Sequence, residues 1–465
     1  MNATPPVSGA PGARPHDRAG SRRDEPGAAD APAAAGTFEG LGLPEELLRT
    51  MTGLGVTEPF PIQAATLPEA LAGRDVLGRA QTGSGKTLAF GLPMLVRTAG
   101  QRAEAKRPLA LVLVPTRELA QQVGLALEPY AKVLGLRMAT LVGGLSMGRQ
   151  AAALKEGAEV VIATPGRLTD LVGRRDCHLD RVRTAVLDEA DQMCDMGFLP
   201  QVTEILDHVP PGGQRLLFSA TLDRNVERLV AGYLAEPVTV SVDHAKAAVT
   251  TMEHHVLHVH GADRFAVATE IAARDGRVLM FLGTKAAVDT FTRHLRDNGI
   301  RASALHSGKS QPQRSHTLDQ FKRGDVTVLV ATNVAARGIH VDELDLVVNV
   351  EAPTDAKDYL HRGGRTARAG ESGKVVTLVT HGQRQDVAKL MSAAGIRPTV
   401  TQVRSGEAEL TRITGARRPA GAKPEQTGRR PFRGLGAQPK KENRKAAEAR
   451  KAAEARRAAQ VRKSR

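Results

Sequence analysis

Eight short apolar runs recur along this chain, and they limit its fold more than any other feature. "LALVLVP" (109–115), "EVVIATP" (159–165), "TAVLDEAD" (184–191) and "QRLLFSAT" (214–221) form one group. "RVLMFLGT" (277–284), "VTVLVAT" (326–332), "LDLVVNV" (344–350) and "GKVVTLVT" (373–380) form another. Longer helical patterns separate the runs. Strands this continuously apolar are buried on both faces, the condition of a parallel sheet covered by helices. The pattern pauses near "SVDHAKAAVTT" (241–251) and then restarts. The expected architecture is therefore α/β, with two parallel-sheet domains in tandem, residues 37–243 and 253–400, joined by a linker at 244–252. In such sheets ligands sit beyond the carboxyl ends of the strands.

The ends of the chain read differently. Residues 1–36 are rich in Pro, Gly and Ala without periodicity and are expected to be a disordered extension. From 401 to 465 the expectation is a basic, mostly disordered tail. Residues 412–465 hold eighteen Lys/Arg against four Glu, a net of +14, which leaves 47 basic and 46 acidic residues in the near-neutral body. Such a tail suits a polyanion and makes binding salt-sensitive. It contains "RKAAEA" twice, at 444–449 and 450–455: helix formers without an apolar stripe. No apolar run approaches membrane-span length. Cys177 and Cys194 form no spacing motif, so a reducing cytoplasm is the expected compartment.

The polar residues at the ends of the runs carry the chemistry. "AQTGSGKT" (80–87) lies between an apolar run and a helical pattern, with Ala80 where a phosphate loop usually has Gly. Backbone N–H groups of Ala80, Gln81, Thr82, Gly83, Ser84 and Gly85 can wrap a triphosphate at a helix N-terminus. Lys86 would reach the β- and γ-phosphates, and the Thr87 hydroxyl would ligate Mg²⁺. A phosphate loop needs an acidic partner on a nearby strand end. In "TAVLDEADQM", Asp188 is suited to hold Mg²⁺, largely through water, and Glu189 to orient or deprotonate the attacking water. Asp191 has no role by this logic.

"VLDEADQM" together with "AQTGSGKT", "PTRELAQQ" (115–122), "TPGR" (164–167), "SAT" (219–221) and "HRGGRTARAG" (361–370) resembles the DEAD-box ATP-dependent RNA helicases of superfamily 2. The motifs stand in that family's order between residue 38 and about 380. The resemblance implies two RecA-like domains that close over ATP, Mg²⁺ and one RNA strand, with RNA-stimulated hydrolysis opening short duplexes or remodelling RNA–protein complexes. It implies that Gln63 reads the adenine edge and Phe38 supports that loop. Arg365 and Arg368 would be arginine fingers. Ser219 and Thr221 would bond Asp191, making it a coupler, and His361 would join the same network. RNA phosphate contacts would come from Thr116, Arg117, Gly143, Gly144, Thr164 and Arg167 in the first domain, and Gly283, Thr284, Gln311, Arg314 and Thr332 in the second. The expected partners are RNA and ribosomal or RNA-decay assemblies, the protein itself acting as a monomer. An RNA clamp or annealing scaffold with weak ATPase activity is the alternative. A DNA-directed helicase is a third reading, from which Gln63 and Asp191 point away.

Several positions depart from the family. Val56 stands where an aromatic residue usually stacks on adenine, and Phe60 where Thr is usual. Asn333 replaces an Asp, and His340 replaces the Asp that bonds the ribose, with Asp342 two residues on. "MEHHVLHVHG" (252–261) puts His254, His258 and His260 on one strand face, read as solvent-facing rather than metal-binding. Abundant Ala, Gly and Arg suggest a bacterial member from a GC-rich genome.

Overall fold

The computed structural model describes residues 36–80, 83–241, 252–336, 344–366 and 373–421. All eight apolar runs form strands. In the first half these are β2 (Ala110–Leu113), β4 (Val160–Ala163), β5 (Thr184–Leu187) and β6 (Gln214–Ser219), joined by β1 (Val76–Arg79), β3 (Met138–Leu141) and β7 (Val238–Ser241). The second half has β8 (Met252–His258), β9 (Val278–Phe281), β10 (Ala302–Leu305), β11 (Val328–Ala331), β12 (Leu346–Asn349), β13 (Gly373–Val379) and β14 (Thr399–Gln402). Each set forms a seven-stranded sheet, ordered β3-β4-β2-β5-β6-β1-β7 and β10-β11-β9-β12-β13-β8-β14. Counted from its own first strand, each sheet has the same order. Every strand pairs in parallel with its neighbours.

Each sheet is buried on both faces. Val112, Val186, Leu216 and Phe218 join one apolar core with Leu47, Phe90 and Leu92. Leu111, Leu113, Leu187 and Leu217 point the other way, into a core with Leu168, Val202 and Leu229. Successive strand residues face opposite sides, so a run must be apolar throughout to fill both cores. Gly78 in β1 is required by packing, because a Cβ there would lie 2.5 Å from the Phe218 ring. Two edge strands escape the apolar rule: β3 alternates, and β14 is largely exposed.

Two expected boundaries move. Met252 already belongs to β8, so the linker ends before it. At the other end, packing continues past residue 400. Val403, Leu410, Ile413 and Ala416 are buried in the second domain's core, the middle two on the helix Ala408–Thr414. Polar, exposed β14 hides this continuation from a pattern search. Arg412 and Arg417, assigned to the tail by charge, pair with Glu409 and Asp275. Residues 1–35 and 422–465 lie outside the described residues, as do Gln81, Thr82, His340, Asp342 and Arg368. Among the described residues no helix is long and apolar enough to cross a membrane.

Candidate active site

The phosphate loop leaves β1 and enters the helix Lys86–Thr98 through Gly85, whose φ is +87°. A Cβ at Gly85 would stand 2.6 Å from Gln63 Nε2, so both backbone and space demand glycine. Ala80 is buried, its N–H donating to the Ser219 carbonyl at 3.1 Å. Lys86 is the first residue of the helix and is buried. Its Nζ lies 2.8 Å from Glu189 Oε1 and 3.8 Å from Asp188 Oδ1. Gly83, Ser84 and Thr87 flank it on the same loop and first turn, Ser84 buried and the other two half-buried.

Asp188 and Glu189 directly follow β5. Glu189 takes the left-handed conformation, φ 54° and ψ 49°, which a non-glycine residue holds only at a cost. Its N–H donates to Asp188 Oδ1 at 3.0 Å. Burial pushes the Asp188 carboxyl up to about 7, with Lys86 opposing and Glu189 adding to the rise. Burial works against the Lys86 charge, but Glu189 and Asp188 outweigh it and hold the ammonium above its ordinary value. Two carboxylates converge on the Lys86 ammonium. That donor set of hard oxygens fits a divalent cation such as Mg²⁺.

Gln63 is 1 % exposed on the helix Pro61–Leu71. Its Oε1 accepts from the Phe60 N–H at 2.9 Å, and its Nε2 donates to the Gly85 carbonyl at 3.0 Å. Each end of the amide keeps capacity for a second bond, as reading an adenine edge requires. Phe38 is buried in the first core and Val56 packs on its border. Phe60 is exposed at the N-cap of the Gln63 helix.

Asp191 is fully buried. Its Oδ2 accepts from the Thr221 N–H at 3.0 Å and from the Thr221 hydroxyl at 2.8 Å. Ser219 also bonds Asp191, at its backbone rather than its carboxylate. Its hydroxyl accepts from the Asp191 backbone N–H at 3.3 Å and donates to the Thr221 carbonyl at 2.7 Å. One hydroxyl therefore serves the carboxylate and the other fixes the backbone around it. From the second domain, His361 Nε2 comes within 3.9 Å of Asp191 Oδ2.

His361 lies on the helix Ala356–Gly363. Arg365 follows it, 4 % exposed, its Nε donating to the His361 carbonyl at 3.2 Å. Arg362, which the motif reading passed over, organises this corner. It stacks over Phe281 at 4.9 Å and donates to Asn333 Oδ1, Asn349 Oδ1 and the Glu351 carbonyl. Asn333 in turn donates to Asp358. An aspartate at 333 has no N–H for that last bond.

The expected RNA-contacting residues fall at the carboxyl ends of strands in both sheets. Thr116 and Thr284 cap helix N-termini, accepting from Leu119 and Ala287 N–H groups. Thr164 precedes the helix Pro165–Gly173, and Arg167 on that helix donates to the Leu145 carbonyl. Thr332 follows β11, and the Gly283 N–H donates to Glu351 at 2.6 Å. Arg117 packs against Gly143 and Gly144, where a Gly144 Cβ would meet its Nη1 at 2.4 Å. Burial and the neighbouring Arg314 lower the Arg117 pKa. Gln311 and Arg314 cross to the first domain, both donating to Glu118 Oε1, at 2.9 and 2.8 Å. Glu118 was visible within "PTRELAQQ", but an acid in a helix's first turn reads as an ordinary cap.

The histidine strand is not solvent-facing. β8 lies between β13 and β14, and His254 is buried with Nδ1 2.9 Å from the Tyr359 hydroxyl. Burial, with help from His255, pushes the His254 pKa down to about 4. No metal-binding group of three or more His, Cys, Asp or Glu occurs among the described residues.

Comparison with known proteins covers both halves. The family model for DEAD/DEAH box helicases matches residues 60–229, and that for the helicase conserved C-terminal domain matches 263–370. The "Pre-mRNA-processing ATP-dependent RNA helicase prp5" of Aspergillus terreus is 40% identical over 383 residues, covering 79% of this chain and 32% of that protein. The "Probable ATP-dependent RNA helicase DDX46" of Danio rerio is 39% identical over 370 residues, covering 77% and 36%. The chain thus spans about a third of the length of these curated relatives. Among solved structures, S. cerevisiae Dbp5 bound to RNA and ADP BeF3 superposes with a TM-score of 0.74 at 29% identity, covering 82% of this chain and 99% of that one.

Proposed function

This chain belongs to the DEAD/DEAH-box helicases, and from that premise we propose that it is an ATP-dependent RNA helicase. ATP hydrolysis stimulated by RNA is coupled to local opening of short duplexes and to remodelling of RNA–protein complexes. The observation that carries this reading is the buried Lys86–Glu189–Asp188 cluster, approached from the second domain by the helix bearing His361.

In this mechanism residues 80–87 cradle the phosphates and Gln63 reads adenine. Lys86 exchanges Glu189 for a phosphate oxygen, which frees Glu189 Oε1 to take the proton of the attacking water. Thr87 and Asp188 would hold Mg²⁺, largely through water; bound there, it supplies charge neutralisation at the phosphate oxygens. Arg365 and Arg368 bring positive charge to the transferring phosphoryl group from the other domain. Asp191, Thr221 and His361 link that approach to the nucleotide site. The strand-end threonines, glycines and arginines named above, with Gln311, hold one RNA strand by its backbone. Glu118 gathers Gln311 and Arg314 for that purpose.

The partner is RNA within RNA–protein particles. The name of the Aspergillus terreus relative points to pre-mRNA processing rather than to ribosomal or decay assemblies. Both relatives are eukaryotic and lend no support to the bacterial source or the cytoplasmic location expected from composition. Glu189→Gln tests the mechanism. It should lower RNA-stimulated phosphate release by about 10²–10⁴-fold while ATP and RNA still bind. Normal release in that variant refutes the base, and an absence of RNA-stimulated release in the unmodified protein favours the clamp reading.

A further inference from the structure

The helix Ala190–Asp195 and the helix Ala356–Gly363 each place two ionisable side chains four residues apart. Residues at that spacing share a helix face. On the first domain these are Asp191 and Asp195; on the second they are His361 and Lys357. The pairs meet in antiparallel order, the first residue of each facing the second of the other. His361 stands 3.9 Å from Asp191, and Lys357 Nζ stands 3.0 and 2.9 Å from the two Asp195 oxygens. Lys357 also donates to Asp223 Oδ2 at 2.9 Å. Asp223 is the N-cap of the helix Arg224–Tyr233, its other oxygen accepting from the Asn225 and Val226 N–H groups.

We infer that Lys357 is a positioning residue, the second rung of an ionic ladder that fixes the arginine-bearing helix against the acidic helix when the domains close. The inference rests on the hydrolytic reading above only in its consequence for turnover. One rung alone leaves the helix free to swing about the His361–Asp191 contact. Two rungs fix its rotation, and with it the backbone that holds Arg365 through the His361 carbonyl. The charge count favours the same state. Apart from Lys357, Asp195 and Asp223 face each other as two carboxylates around one vacant cation position, with Asp191 nearby. Burial disfavours the ammonium, but the bonds to Asp223 and Asp195 outweigh it and hold Lys357 above its ordinary pKa. Lys357 is 22 % exposed and Asp195 29 %, so the rung is screened enough to open and close.

The test uses the full chain with single-stranded oligo-uridylate and a non-hydrolysable ATP analogue, fluorophores on the two domains reporting closure. Lys357→Glu should raise the RNA concentration for half-maximal ATP turnover by about 10-fold, with a smaller loss in kcat at saturating RNA. It should reduce the closed fraction with an unchanged melting temperature. Lys357→Arg should stay within about 3-fold of the original, and the swap K357E with D195K should recover closure. Unmodified closure in K357E overturns the ladder, and so does a defect that the swap leaves in place. A parent protein that closes without hydrolysing ATP sinks the hydrolytic reading, and the closure measurements alone then decide the ladder. A parent that never closes overturns the ladder even if it turns over ATP.

Discussion

The two sheets run through the same strand order, yet corresponding loops carry different chemistry. Beyond β1 lie the glycines of the phosphate loop and Lys86 at the start of a helix. Beyond its counterpart β8 come Asp263 and Arg264, the latter opening the helix Arg264–Ala272. Beyond β5 stand Asp188 and Glu189, paired with Lys86. Beyond its counterpart β12 stand Val350 and Glu351, where Glu351 ties down the Gly283 backbone instead. A parallel sheet gives both halves a cleft at the carboxyl ends of its strands, but among the described residues only the first fills it with a buried ammonium and two carboxylates. The second half instead places Arg365 just past the helix Ala356–Gly363 that follows β12. Fold is shared and chemistry divided. On the proposed mechanism, neither half hydrolyses ATP alone.

The most direct way to break this division is Arg365→Ala. If the second half supplies transition-state charge, kcat for RNA-stimulated hydrolysis should fall about 10³-fold with little change in ATP affinity. Arg365→Lys should recover little, because an ammonium cannot reproduce the guanidinium fork. Since Arg365 is buried, the variants' melting temperatures must match the parent before kcat is compared. Unchanged turnover in a folded R365A would reduce the second half to an RNA-binding surface.

A smaller effect separates the halves by pH. β1 buries Val76, Leu77 and Gly78 and exposes Arg79, so none of its buried residues titrates. Its counterpart β8 buries His254, whose pKa falls from 6.5 to about 4. The unfolded chain takes a proton on this histidine below about pH 6.5, and the folded chain resists until about 4. Stability therefore falls as the pH drops through that window, by at most about 3 kcal/mol. Hydrogen exchange at pH 5 should show the second sheet opening before the first, and His254→Gln should narrow the gap. Equal acid sensitivity in both sheets would remove the distinction.

The sequence made the central strands legible because a strand packed on both faces has to be apolar throughout. It left the margins obscure for the same reason. β14 is polar and exposed, so the helix Ala408–Thr414 behind it read as tail although Leu410 and Ile413 are core. The acidic motif and phosphate loop were readable because their chemistry is local to a few consecutive residues. Glu118, Arg362 and Lys357 were not, since each gains meaning from partners more than ten positions away. Ser219 shows a finer limit. Its neighbourhood with Asp191 was legible, but not that its hydroxyl meets the backbone and leaves the carboxylate to Thr221.

Asn333 allows the finest test of the comparison, because it marks the same corner in both halves. β4 is followed by Thr164 and Pro165, and β11 by Thr332 and Asn333. Proline serves only to start a helix. Asn333 also bridges two side chains, accepting from Arg362 Nε at 2.6 Å and donating to Asp358. Arg362 can only donate and an ionised Asp358 can only accept, so the intervening residue must do both. Asn333→Asp, a return to the family's usual residue, keeps the acceptor for Arg362 but sets like charges together at Asp358. Urea unfolding should register a loss of about 1 kcal/mol, and the double variant N333D with D358N should restore it by supplying the donor from the other side. If N333D is neutral, Arg362 alone holds this corner. The departure at 333 then has no structural partner, and the two halves differ there by less than the geometry indicates.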